Sequence, residues 1–157
     1  MRFLLLSDTH GNYPLAIRAL EMAGQVDLIF HLGDGIDDAR LIEEITGHRF
    51  IMVPGNCDRS APGPLDVTAV FAGLKFFITH GDNYNVKGGL SLLQKKALTE
   101  NVQIVLYGHT HTGSIELLDG ILFVNPGCLR YRWPKTSYAI LSIDSGTARA
   151  ELFPIDS

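Results

Sequence analysis

The 157-residue chain predicts an α/β fold, and three observations carry that expectation. Strand and helix patterns alternate through the first two-thirds, the remainder reads as β-hairpins, and five short apolar runs each stop at a Gly-flanked cluster of Asp, His or Asn. The runs are RFLLLS into Asp8-Thr9-His10-Gly11, LIFHLG into Asp34, FIMVPG into Asn56, LKFFIT into His80-Gly81, and QIVLYG into His109-Thr110-His111. Continuous apolar runs of this length read as buried strands.

In chain order, Pro14 after Asn12 predicts a helix start, with Leu15, Ala19, Leu20 and Met22 as the apolar face and Gly24 as the stop. Ile36 to Thr46, with Asp37 and Asp38 early, predicts a second helix, and Gly89 to Glu100 a third. The Pro and Gly content of Ala61 to Pro64 predicts a loop. Beyond His111 the pattern is hairpins: Ser114 to Leu118 and Ile121 to Asn125 about an Asp119-Gly120 turn, then Ser137 to Asp144 and Arg149 to Phe153 about a Ser145-Gly146 turn. With no repeat, linker or low-complexity segment, one domain over residues 1–157 is expected.

The net charge of -4 and a pI near 5.8 argue against a large basic footprint for duplex DNA or RNA, while leaving small nucleotides open. Two cysteines cannot build a disulfide framework. The first apolar run is too short for a signal peptide, and no stretch approaches the roughly 18 apolar residues of a membrane span. The expectation is a cytoplasmic protein without a membrane partner; homo-oligomerisation is left open.

In open α/β sheets ligands bind beyond the carboxyl ends of the strands, so five polar stops can converge in one cleft. On extended chain Asp8 and His10 share a side, as do His109 and His111, so each pair is expected to grip one ion. The donor set comprises four imidazoles (His10, His80, His109, His111), two carboxylates (Asp8, Asp34) and the Asn56 amide carbonyl. It suits divalent Mn, Fe, Ni or Zn, and the absence of a CxxC pair argues against a structural zinc site. Seven donors overfill one tetrahedral site and suit two ions about 3.5 to 4 Å apart with a shared carboxylate. Two divalent ions less Asp8, Asp34 and a bridging hydroxide leave about one positive charge, which attracts an anion such as a phosphate ester.

The series Asp8-x-His10, Gly33-Asp34, Gly55-Asn56-x-Asp58, His80 and Gly108-His109-x-His111 resembles the calcineurin-like metallophosphoesterase superfamily in order and spacing, over roughly Met1 to Pro126. The short length, the SDTHGN opening and the VNPG turn look most like its small prokaryotic phosphodiesterases, the YfcE-like subgroup. The resemblance implies a four-layer αββα sandwich of two mixed sheets flanked by helices, with a dinuclear site at one edge. It also implies Asp8, His10 and His111 on one ion, Asn56, His80 and His109 on the other, and Asp34 between them. Mn is the first expectation for the metal, with Fe, Ni, Zn or Mg as alternatives.

Two positions depart from the pattern. Cys57 stands where many members have a His thought to protonate the leaving oxygen, and a thiol is a weak hydrogen-bond donor. Asp82 follows His80-Gly81 where His is common. The expected reaction is hydrolysis of a small phosphodiester or nucleotide-like substrate by metal-activated water, with Asp58, or water near Cys57, assisting the leaving group. A phosphomonoesterase is the nearer alternative; a protein-interaction scaffold is the other, because a retromer subunit shares this small fold. His31 and His48 read as structural, Cys128 as a packed thiol and Asn125 as a turn former. Arg59, Arg130, Tyr131, Arg132 and Trp133 read either as contacts to a phosphate or base, or as an exposed basic loop.

Overall fold

Alternation along each strand decides which layer a residue serves. In β1 (Arg2–Leu6), Phe3 and Leu5 face one core and Leu4 and Leu6 another. The computed structural model describes residues 1–58 and 60–156. Its further strands are β2 (Leu28–His31), β3 (Phe50–Met52), β4 (Asp66–Phe71), β5 (Leu74–Thr79), β6 (Ile104–Leu106), β7 (Ser114–Leu118), β8 (Ile121–Asn125), β9 (Ser137–Asp144) and β10 (Thr147–Pro154). They form two mixed five-stranded sheets, ordered β10-β9-β1-β2-β3 and β4-β5-β6-β8-β7. Phe3, Leu5, Phe30, Phe76, Ile78 and Leu106 fill the space between them. Each such fully buried side chain contributes about 1.5 to 3 kcal/mol.

Helices close the two outer faces. On α1 (Tyr13–Ala23), Leu15, Ala16, Ala19 and Leu20 pack on Leu4, Leu6 and Ile29, joined by Ile42 of α2 (Ile36–Thr46). On α3 (Ser91–Glu100), Leu93 and Ala97 pack on Phe77 and Val105 of the second sheet. The layers are therefore helix, sheet, sheet, helix, as the resemblance implied. No helix among the described residues is long and apolar enough to cross a membrane.

Two expectations change. The segment Asp66–Phe71 had no strand expectation but pairs antiparallel with β5 around Ala72-Gly73. As an edge strand it is only half covered, so it lacks a continuous apolar run, and its turn lacks Asn or Asp. The third helix starts at Ser91 rather than Gly89. Short 3-10 turns occupy Asp82–Tyr84 and Val86–Gly88, and Gly89 sits at φ 126°, outside helical space.

The topology places the functional loops. Parallel β1 and β2 run in register, Leu6 opposite His31, so the segments carrying Asp8 and Asp34 leave the sheet side by side. Parallel β5 and β6 do the same in the other sheet, Ile78 opposite Leu106, for His80 and His109.

Candidate metal centre

The first two loops are laced together: Asp8 N donates to Gly33 O at 2.9 Å and His10 N to Asp34 O at 3.1 Å. The backbone here is not extended. Asp8, His10, Asp34, His109 and His111 all lie in the left-handed region, with φ of 53°, 46°, 55°, 68° and 60°. Such residues cost on the order of 1 kcal/mol or more each and persist where surrounding structure holds them. The expectation that His109 and His111 grip the same ion, which assumed an extended chain, is therefore corrected: they turn to different neighbours. Asp8 and His10 do meet, through the turn rather than through alternation.

Two ligand groups result. The donor atoms of Asp8, His10, Asp34 and His111 lie within 4.8 Å of one another, as do those of Asp34, His80 and His109. Asp34 belongs to both, its Oδ2 lying 3.7 Å from His10 Nε2 and 3.6 Å from His80 Nε2. In the first group His111 Nε2 is 3.1 Å from Asp8 Oδ1 and 3.4 Å from His10 Nε2. In the second, His80 Nε2 is 3.1 Å from His109 Nδ1 and 3.2 Å from Asn56 Oδ1. All seven expected ligands are thus brought together.

The donor set fits bound cations. His80 Nδ1 donates to Leu32 O at 2.6 Å, which leaves the Nε2 lone pair facing the group. Asp8 Oδ2 accepts from Ser7 Oγ at 2.5 Å and from His109 N at 3.1 Å, while the buried Oδ1 accepts no hydrogen bond. Asp34 is used likewise: Oδ1 accepts from Cys57 N at 2.8 Å and Oδ2 faces the histidines. Inward oxygens without donors and ring nitrogens gathered nose to nose are what a cation site presents and what an unliganded core avoids.

Burial holds the pKa of His10 below its ordinary value against the pull of Asp34 and Asp8. His109 is lowered too, by burial and then by the neighbouring His80. Both rings therefore favour the neutral, ligating form. Burial would raise the Asp8 carboxyl, but the His111 contact, the nearby His80 ring and the Ser7 bond outweigh it, and its pKa falls below the usual carboxylate value. Glycines let the backbones close in: a Cβ on Gly55 would lie 2.2 Å from Asp34 Oδ1, and one on Gly33 2.5 Å from His80 Nδ1.

Asp58 is placed otherwise than a leaving-group acid requires. Its carboxylate accepts from Gly35 N at 3.1 Å, Ile36 N at 3.2 Å and Gly55 N at 2.9 Å. Both oxygens serve as acceptors, capping α2 and tying its start to the Asn56 loop, so Asp58 is a positioning residue. Cys57 is exposed beside the cluster, and partial desolvation of its sulfur followed by the nearby Asp34 carboxylate pushes its pKa up, so the thiol holds its proton.

The remaining candidates separate. The Trp133 and His111 rings meet at 79° with centroids 4.8 Å apart, and the charge of Arg130 reaches His10. Tyr131 and Arg132 are exposed, and Arg59 lies outside the described residues. His31 is fully buried, and burial pushes its pKa down to about 4, which keeps it neutral. His48 stands at the turn between α2 and β3, remote from the cluster, and Cys128 is fully buried.

Supporting residues escaped sequence reasoning. Asp38 accepts from Thr9 Oγ1 at 2.6 Å and from Gly11 N at 2.8 Å, pinning the turn that carries His10, and His31 Nε2 donates to Thr9 from below at 3.2 Å. Asn125 is more than a turn former: besides accepting from Gly127 N, its amide donates to Gly108 O at 2.9 Å and Thr110 Oγ1 at 3.0 Å, bracing the His109 loop. Buried polar residues beside motif positions were the available signal, but their partners are remote in sequence.

Comparison with known proteins agrees with this geometry. Residues 1–146 match the calcineurin-like phosphoesterase superfamily domain. The probable metallophosphoesterase YsnB of Bacillus subtilis is 30% identical over 156 residues, 98% of this chain and 90% of YsnB. Phosphodiesterase YfcE of Escherichia coli K12 is 28% identical over 172 aligned positions, 92% of this chain and 89% of YfcE. The crystal structure of a predicted phosphoesterase from Streptococcus pneumoniae TIGR4 superposes with a TM-score of 0.81 at 29% identity, covering 98% of this chain and 88% of that one. The chain belongs to the calcineurin-like phosphoesterase superfamily, with YsnB and YfcE among its relatives.

Proposed function

We propose that this protein is a cytoplasmic, dinuclear metal-dependent phosphodiesterase, with Asp8, His10 and His111 holding one divalent ion, Asn56, His80 and His109 a second, and Asp34 both. The observation that carries the reading is the single Asp34 Oδ2 placed between His10 Nε2 and His80 Nε2, at 3.7 and 3.6 Å. When bound, two such ions would activate a water and neutralise charge developing on the phosphoryl group. Manganese is the metal we favour, because a mixed set of imidazole, carboxylate and amide oxygen suits a borderline to hard divalent ion. The similarity to phosphodiesterase YfcE supports the diesterase part of the reading, and two free cysteines the cytoplasmic part.

The chain's own residues would then divide the work. His80 is held in the ligating tautomer by Leu32 O, and Asp8 is oriented by Ser7 and the His109 amide. Asp58 locks the Asn56 loop to the start of α2 beside Asp34. Cys57 carries a proton beside the cluster but is a weak donor, so leaving groups of low pKa are favoured.

The test is metal analysis of the purified protein together with a panel of aryl phosphate mono- and diesters, with and without added Mn²⁺. About two metal equivalents and metal-dependent cleavage of bis(p-nitrophenyl) phosphate are expected. One equivalent at saturation, or cleavage of monoesters alone, would overturn the reading.

A further inference from the structure

If the centre cleaves phosphodiesters, each ester arm of a bound substrate must leave the ligand cluster into the space beside it. Two cavities adjoin the cluster, and they differ. The one beside Asn56 is about 310 Å³, with Asp58 and Asp82 in its lining, which disfavours a bulky anionic arm. The one beside His111 is about 860 Å³, within the range of small-molecule sites. Its walls include Trp133, Pro134, Leu152 and Ile155, and the exposed Lys135 and Asp156 in its lining balance each other in charge, unlike the two unopposed carboxylates of the smaller cavity. Polar groups of its floor are satisfied internally: Ser137 Oγ donates to Pro126 O at 2.7 Å and Ile155 N to Thr136 O at 3.1 Å. Apolar and aromatic surface is therefore the larger part of what the cavity offers an entering group. It is continuous with the first ligand group, because His111 belongs to both and packs against Trp133.

We propose that this cleft binds an aromatic ester arm, so that the substrate class is a phosphodiester of which one alcohol, aryl or nucleoside, carries a planar aromatic ring that lies against Trp133. The inference rests on the diesterase reading for its phosphate end, and on the cavity for its aromatic end.

Trp133 is the chain's single tryptophan, so its fluorescence reports on the cleft without requiring turnover. Protein loaded with Zn²⁺, which has no unpaired electrons to quench the indole, is titrated with diphenyl phosphate, thymidine 5′-methyl phosphate and dimethyl phosphate. The two aromatic diesters should shift the emission saturably and dimethyl phosphate should not; the tighter of the two identifies the source of the arm. In parallel, Trp133→Ala should raise the KM for bis(p-nitrophenyl) phosphate about tenfold with a much smaller change in kcat, and Trp133→Phe should restore it. Equal responses to all three ligands, or an unchanged KM in Trp133→Ala while hydrolysis persists, would overturn the aromatic cleft and leave the diesterase reading standing. A selective fluorescence response in protein that cleaves no diester with any metal would support the cleft and overturn the diesterase reading.

Discussion

Left-handed backbone recurs along this molecule, helix ends such as Gly47 and Asn101 included, and two of the regions that carry it differ instructively: the hairpin tips and the ligand loops. At the tips it comes in adjacent pairs: Ala72-Gly73 at φ 49° and 81°, Asp119-Gly120 at 49° and 76°, Ser145-Gly146 at 48° and 77°. Such pairs match the twist of the strands they join, so each tip is satisfied by its own two strands. At the ligand loops Asp8, His10, Asp34, His109 and His111 stand in the same region, but what holds them lies elsewhere in the chain. Gly33 O receives the Asp8 amide, Asp8 Oδ2 receives the His109 amide, and Asn125 braces Gly108. The hairpins relieve their strain locally, whereas the centre relies on remote contacts to keep side chains aimed inward. Backbone strain at the tips should therefore concern stability, and at the loops the aim of the donors.

The most severe way to break the contrast is Asp34→Asn. Removing a charge that faces both ligand groups should lower hydrolysis by at least about 10³-fold, equivalent to roughly 4 kcal/mol, and reduce metal content, while circular dichroism remains native. Near-normal turnover at full metal loading would show that Asp34 is not shared. His48→Ala, remote from the cluster, is the matched control and should leave turnover unchanged.

The next largest effect is expected at Cys57. Placing a stronger acid there, Cys57→His, should raise rates for alkyl esters by roughly 10²-fold and for p-nitrophenyl esters far less, flattening the dependence on leaving-group pKa. A slope identical to that of the parent at equal metal content would remove position 57 from any role in protonating the leaving oxygen.

Asp58→Ala addresses the remote contacts themselves. Losing the α2 cap should cost about 1 to 2 kcal/mol in urea unfolding and also weaken metal binding, because the same carboxylate locks the Asn56 loop. A stability loss without any change in metal affinity would confine Asp58 to the helix.

The smallest effect belongs to the tips. Ala72→Gly removes a Cβ from a left-handed site at an exposed turn and should stabilise the fold by about 0.5 to 1 kcal/mol with turnover unchanged. Any change in activity there would mean that tip and centre are coupled after all.

The amino-acid sequence by itself determined the strands and helices whose burial is continuous or strictly periodic. RFLLLS and LKFFIT could only be covered on both faces, and Pro14 and Gly24 bracket the first helix, because these patterns act over a few residues. It also supplied the seven donor residues, since Gly-flanked His, Asp and Asn after such runs have few structural uses. Only the tertiary structure decided how those donors divide. His109 and His111 are two residues apart yet face different groups, because the backbone between them is left-handed and each is met by a side chain from a distant strand. The same holds for Asp58, whose partners Gly35 and Ile36 arrive from the preceding strand-to-helix connection, and for Trp133, in the β8–β9 connection, whose neighbour His111 comes from the loop between β6 and β7. β4 completes the pattern: half covered, it takes its strand character from β5 beside it. Local periodicity follows from covalent geometry and is written into neighbouring residues, whereas the direction of a side chain at a strand end depends on which other strand ends the sheet order brings beside it.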